Sequence, residues 1–181
     1  MHLGSKTDVD RPLTSARPFL ACATALTTLF MLPIAQADAG GDRARLGPAE
    51  RALKAEMNRT RAAHGLHRLR HSGRLAKSAD YHCWDMLNAN FFAHSSSNGT
   101  PMPVRVRRYK RASRIGENLA YVGKKRPRKA ARAVVGMWMN SPSHRASLLS
   151  GTFTRVGVAR RVGSLGGGRV AVYTVDFSSA R

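Results

Sequence analysis

Three segments set a polar side chain capable of ligand or proton chemistry beside core-forming residues: "FFAHSSSNG" with His94, "GENLA" with Glu117 and "NSPSHRASLL" with His144. Two neutral imidazoles and one carboxylate suit a divalent cation such as zinc, which accepts nitrogen and oxygen ligands and keeps a position for water. On that reading His94 and His144 are the metal ligands. Glu117 is then either a third ligand or the acceptor of a ligating histidine's other ring N–H, which fixes its tautomer. The same trio could serve a metal-assisted hydrolase with Glu117 as general base, or form a hydrogen-bonded cluster that only satisfies buried polar groups. The sequence carries no HExxH, GxSxG or paired-cysteine motif, so no catalytic residue is assigned. His64, His67, His71 and His82 are scattered over the first two predicted helices and their connection and read as surface or hydrogen-bonded core residues.

The elements that must position these side chains follow from periodicity. Ala49, Leu53 and Met57 recur at helical spacing from Pro48 to Ala63, and "HG" at 64 and 65 closes that helix. A second helix, capped by Ser72, carries Leu75, Ala76, Ala79, Cys83, Met86 and Leu87 on one stripe. "SSSNGTPMP" reads as a loop, residues 104 to 114 as a basic stretch, and "IGENLAYVG" as an extended core segment. Beyond the turn-like "KKRPRK", Ala130, Ala133, Val134, Met137 and Trp138 predict another helix with one face inward. Ser141 as N-cap and Pro142 at the first helical position predict a short helix carrying His144.

The period then changes. "FTRVGVARRV" and "RVAVYTVDF", joined by "GSLGGG", read as an antiparallel hairpin. The second strand is apolar on both parities, so both of its faces are covered. The expected fold is α+β, a three-layer α-β-α sandwich with a small antiparallel sheet covered by helices on both faces.

At the amino terminus, Lys6, Arg11 and Arg17 precede the apolar run of residues 19–35 and "AQA". Residues 1–37 read as a signal peptide cleaved near Ala37, residues 38–47 as a flexible lead-in and 48–181 as the domain, which places the product outside the cytoplasm. An uncleaved anchor is the alternative, and no later segment could span a bilayer. Removing three of the 31 Lys/Arg and two of the 10 Asp/Glu leaves 28 against 8, a net charge of about +20. Cys22 leaves with the peptide, so Cys83 has no partner for an internal disulfide and reads as a small buried hydrophobe.

Together with "MNRTRAAHGL", "ADYHCWDM", "WMNSPSH" and the closing "YTVDF", the three segments resemble, in order and interval, the CAP superfamily (the SCP or pathogenesis-related-1 type), most of all its short bacterial, disulfide-free branch. The resemblance covers about residues 50 to 178. It implies an α-β-α sandwich in which His94, Glu117 and His144 converge on a central cleft. Members commonly place two histidines and two acidic residues there, and several bind a divalent metal through the histidines. This chain departs at the fourth position, where Ser141 follows Trp138 at the spacing of the expected glutamate. The implied function is a secreted module whose cleft takes a small or lipid-like ligand or a protein partner.

Charge suggests a third reading, a module that binds envelope polyanions through its surface. "RVRRYKRASR" (Arg105, Arg107, Arg108, Lys110, Arg111, Arg114) and "KKRPRK" favour anionic polymers or anionic lipid headgroups. Nucleic acid is not expected, because only Tyr109 lies in the first cluster and no stacking platform is evident.

Overall fold

The computed structural model describes residues 46–180. Contacts divide the chain into Met1–Ala35 and Gln36–Arg181, and every element described below belongs to the second unit. The signal-peptide reading and residues 38–45 of the lead-in lie outside the described residues.

The first helix, α1 (Pro48–Ala63), starts on Pro48 and buries Leu53 and Met57, and His64 caps its end before Gly65 turns the chain at φ +68°. Asn58 then clamps the return: its side chain accepts from the Leu69 N–H at 2.8 Å and donates to the Leu69 carbonyl at 3.2 Å. This holds β1 (Arg70–His71) in place before α2 (Gly73–Asn88), where the Ser72 hydroxyl accepts from the Leu75 N–H as the cap. The next helix, α3 (Met102–Tyr109), occupies the stretch read as loop and basic surface. Its helical logic is compressed into two turns: prolines at its start, then Val106 and the stem of Arg105 turned inward, both buried.

The edge strand β2 (Ile115–Val122) follows, then α4 (Pro127–Met139), α5 (Pro142–Leu148) and the hairpin β3 (Arg155–Leu165) and β4 (Gly168–Ser178). Gly166 and Gly167 adopt φ +58° and +81°, the left-handed pair that a two-residue hairpin turn requires. The inward face of α4 is rotated from the expected one. Ala131 and Val135 are buried with Ala130, Val134 and Trp138, while Met137 is 43% exposed.

The sheet order is β1-β3-β4-β2. It is mixed rather than wholly antiparallel, because the Asn58 clamp brings β1 alongside β3 in parallel, Arg70 against Arg155. Both faces of β4 are covered as expected. Tyr173, Val175 and Phe177 pack with Leu53, Met57, Val134 and Trp138 of α1 and α4. Val172 packs on the other face with Ala79, Cys83 and Met86 of α2. Gly157 of β3 lets α2 approach very closely: a Cβ there would lie 2.1 Å from the Leu75 carbonyl carbon. No helix among the described residues is long and apolar enough to cross a membrane.

Candidate functional site

The three singled-out residues meet at the β2 edge of the sheet. Glu117 points from β2 to the α2 side, sharing strand parity with Leu119 of the α2-side core. His94 reaches it from the loop after α2, and that loop is tied down at several points. The His82 Nε2 bonds the Ala93 carbonyl at 2.8 Å, Arg105 Nη1 donates to the His94 carbonyl at 2.8 Å, and the Ser97 N–H donates to Asp85 at 2.9 Å. His144 comes from α5 on the other side of the edge, where Asn118 Nδ2 donates to its carbonyl at 2.9 Å. Trp138 Nε1 donates to the Leu119 carbonyl at 2.8 Å and fastens α4 to the same strand.

His94 Nδ1 lies 2.8 Å from Glu117 Oε1. A carboxylate only accepts, so Nδ1 carries a proton, and in the neutral ring the lone pair is on Nε2. The His94 side chain is 52% exposed, whereas that of Glu117 is fully buried. His144 Nδ1 lies 2.9 Å from the Ser141 hydroxyl, and the two imidazoles stand 6.1 Å apart between ring centroids, tilted by 42°. Burial, and secondarily His94, push the His144 pKa down and keep its ring neutral. Ser141 occupies the N-cap position with Pro142 in the first turn, but its hydroxyl makes no capping bond to the backbone and engages the histidine instead.

Two further residues complete the site. Arg105, read from sequence as part of a basic surface, is 2% exposed and forms an ion pair with Glu117 Oε2. Asp176, in the second strand of the hairpin, stands opposite Glu117 in the β2–β4 register and is fully buried. The signal that could have exposed both is the same: a buried acid at Glu117 needs a cation nearby, and an Asp inside a doubly covered strand needs a reason.

These contacts decide which atoms remain available. Both Glu117 oxygens are engaged, one by His94 and one by Arg105, and its side chain is fully buried, which places the carboxylate to orient His94. Among the described residues no group of three or more His, Cys, Asp or Glu is placed to hold a metal ion. The donors left are the Nε2 atoms of His94 and His144. Catalytic zinc sites take three protein ligands and a water, so a cation on these two nitrogens would need water or an outside ligand to complete its shell. Cys83 takes no part: its thiol points at the Thr174 hydroxyl at 3.2 Å, and burial pushes its pKa up to about 12.

The exposed cations fall on opposite sides of the sheet. Arg107, Arg108, Lys110 and Arg111 gather with Arg74 at the start of α2. Arg126, Arg128, Lys129 and Arg132 line a groove between α4 and α1 with Arg51 and Arg59.

Comparison with known proteins places this arrangement. The profile of the CAP, or cysteine-rich secretory protein, family matches residues 54–177. YkwD of Bacillus subtilis (strain 168) is 37% identical over 105 residues, 56% of this chain and 38% of its own length. The membrane protein YlbC of the same strain is 33% identical over 102 residues, 56% of this chain and 28% of its own. The chain thus spans well under half of each of these relatives. Among solved structures, an outer surface protein from Borrelia burgdorferi has a TM-score of 0.65 at 22% identity, covering 78% of this chain and 99% of that one. An extracellular SCP-domain protein from Bacillus anthracis str. Ames has a TM-score of 0.58 at 27% identity, over 76% and 45%. The profile match, on a fold whose layers sandwich one small sheet, establishes that the chain belongs to the CAP, or cysteine-rich secretory protein, family.

Proposed function

We propose that this is an extracytoplasmic binding module whose cleft at the β2 edge takes a small or lipid-like ligand, with a divalent cation on His94 and His144 as one mode of binding. The observation that carries the reading is the state of Glu117. Its Oε1 accepts from His94 Nδ1 while Arg105 holds its Oε2, which leaves His94 Nε2 as the ring nitrogen able to accept from a ligand or to ligate a cation. A bound cation would supply Lewis acidity; the chain supplies two imidazoles, a buried orienting carboxylate and its neutralising arginine. Phe92 and Tyr121 add an apolar wall. They meet edge to face at 5.0 Å and are 41% and 49% exposed, with Tyr121 on the same side of β2 as Glu117. The export-type amino terminus supports the location, as do the outer-surface and extracellular descriptions of the Borrelia and Bacillus anthracis proteins.

Burial weighs against a hydrolase that uses Glu117 as general base, since its side chain is closed to solvent water. Zinc calorimetry on residues 36–181 tests the metal mode. Micromolar binding is expected, lost in His94→Ala and His144→Ala and weakened about tenfold or more in Glu117→Gln. A folded wild type that binds no zinc removes the metal mode. Histidine NMR shifts that also stay fixed on titration with a short-chain fatty acid sink the cleft reading itself.

A further inference from the structure

We propose that the outer ridge of α2 is a docking face for an anionic lipid bilayer, separate from the histidine cleft. Nine of the sixteen residues of α2 are buried; its solvent-facing ridge carries Arg74, Lys77, Tyr81 and Trp84 at helical intervals. From Arg74 to Trp84 the ridge runs about 15 Å at 1.5 Å per residue. Its two ends differ chemically.

At the carboxyl end, Tyr81 and Trp84 are 40% and 44% exposed with ring centroids 5.7 Å apart. Trp84 shares a depression with Val162, itself 42% exposed on the hairpin. At the amino end, Arg74 shares a depression with Arg107, Arg108, Lys110 and Arg111. Asp80 is the acid beside the ridge, and Arg161 neutralises it through two hydrogen bonds of 2.8 and 2.7 Å. The face therefore presents uncompensated cations along one half and a tryptophan–tyrosine pair along the other.

That combination matches a headgroup layer. Tryptophan and tyrosine rings, apolar in body and polar at one edge, favour the interface between headgroups and acyl chains. Basic residues near an anionic leaflet each add attraction that falls off within a Debye length. A soluble polyanion would use the cations and leave the aromatic end with nothing to enter. The groove between α1 and α4 supplies the contrast: it is lined by six cations and by no aromatic side chain.

The chain carries its own reporters, because its two tryptophans differ: Trp84 is exposed and Trp138 is 1% exposed in the core. Residues 36–181, the unit that holds every described element, are mixed with vesicles of phosphatidylcholine containing phosphatidylglycerol, and tryptophan emission and co-sedimentation are followed. The expected result is a blue shift, quenched by bromine-labelled acyl chains and lost in Trp84→Phe. Arg107→Gln with Arg108→Gln weakens binding roughly tenfold or more, given the contribution of each interfacial cation. The matched pair Arg128→Gln with Lys129→Gln on the opposite layer changes binding less than about threefold. Sedimentation with no Trp84 shift, or equal losses in the two charge pairs, overturns the proposal. So does tight binding of soluble polyphosphate, removed by the Arg107/Arg108 pair, while vesicles leave Trp84 unmoved; that outcome makes the partner a polymer.

Discussion

Glu117 and Asp176 stand directly opposite each other on β2 and β4, both buried, and of the two carboxyl groups it is Glu117 that bonds the Arg105 guanidinium. Two adjacent buried carboxylates and one cation favour a single negative charge. Burial first, and the Glu117 carboxylate second, push the Asp176 pKa well above its ordinary value. The Ser78 hydroxyl and the Glu117 carboxyl group are the polar side chains that face the Asp176 carboxyl group at close range. Of the two, Asp176 is the carboxyl group whose surroundings favour the protonated form.

A raised folded-state pKa means that the native protein binds more protons than the unfolded chain between the two values. Asp176 therefore contributes most below its unfolded value of about 4, and stability drains away as pH rises toward its folded value. Asp176→Asn mimics the protonated form and removes that slope. Urea unfolding of both proteins from pH 4 to 9 reads the difference, which should shift steadily in favour of the variant as pH rises. A difference that stays flat across the range means that Asp176 is ionised in the fold. Glu117, Arg105, His82 and Cys83 face this pocket from β2, α3 and α2, and all are retained in the variant.

Arg105→Met leaves Glu117 buried without its cation and frees the His94 carbonyl and the Ser96 hydroxyl from their shared donor. Breaking a buried ion pair by removing one partner costs about 3–5 kcal/mol. Combining Arg105→Met with Glu117→Gln should recover a large part of that loss, since no charge is then stranded. Denaturant titration of the single and double variants checks it. A single variant within about 1 kcal/mol of wild type would mean that water reaches Glu117.

Much of this architecture was legible in the sequence because it is periodic. The bounds of α1, the Ser72 cap of α2 and the doubly apolar β4 all follow from local pattern, and their outcomes agree with it. The residues His94, Glu117 and His144 were legible as ordered motifs, and the structure brings them to one edge. What the pattern hid was long-range. Arg105 looks like its neighbours Arg107 and Arg108, and only the buried acid on β2, 12 residues away, turns it inward. Two-residue β1 has no period to detect, since its parallel pairing depends on Asn58 and β3.

His82 links acid pH to the His94 loop. It is fully buried, and its Nε2 must donate to the Ala93 carbonyl, so the neutral ring presents an unprotonated Nδ1 that has no partner among the described residues. Burial pushes its pKa down. The unfolded chain then binds the extra proton more readily, so the stabilisation is intact above about pH 6.5 and is lost as pH falls toward the lowered folded value. Hydrogen exchange at residues 91–96 should quicken on acidification from pH 7 to 5, and His82→Gln should flatten that response. An unaltered response in the variant assigns the acid sensitivity elsewhere.

Gly157 decides whether α2 can sit where the site needs it. An added Cβ would meet the Leu75 carbonyl carbon at 2.1 Å and the Ala76 nitrogen at 2.2 Å. Both are backbone atoms in the first turn of α2, so no side-chain rotation relieves the clash and the helix itself must withdraw from β3. Overpacking usually costs about 1–3 kcal/mol and more where backbone has to move. Gly157→Ala should fall at or beyond the upper end of that range, and because α2 carries His82 and leads into the His94 loop, it should also weaken ligand or zinc binding at the cleft. Gly163→Ala is the control: its Cβ would meet only the Leu87 side chain, at 3.1 Å, which can turn aside. Thermal unfolding of the two variants separates the cases. Equal losses would mean that α2 yields without cost and that its close seating on β3 is not what fixes the position of His94.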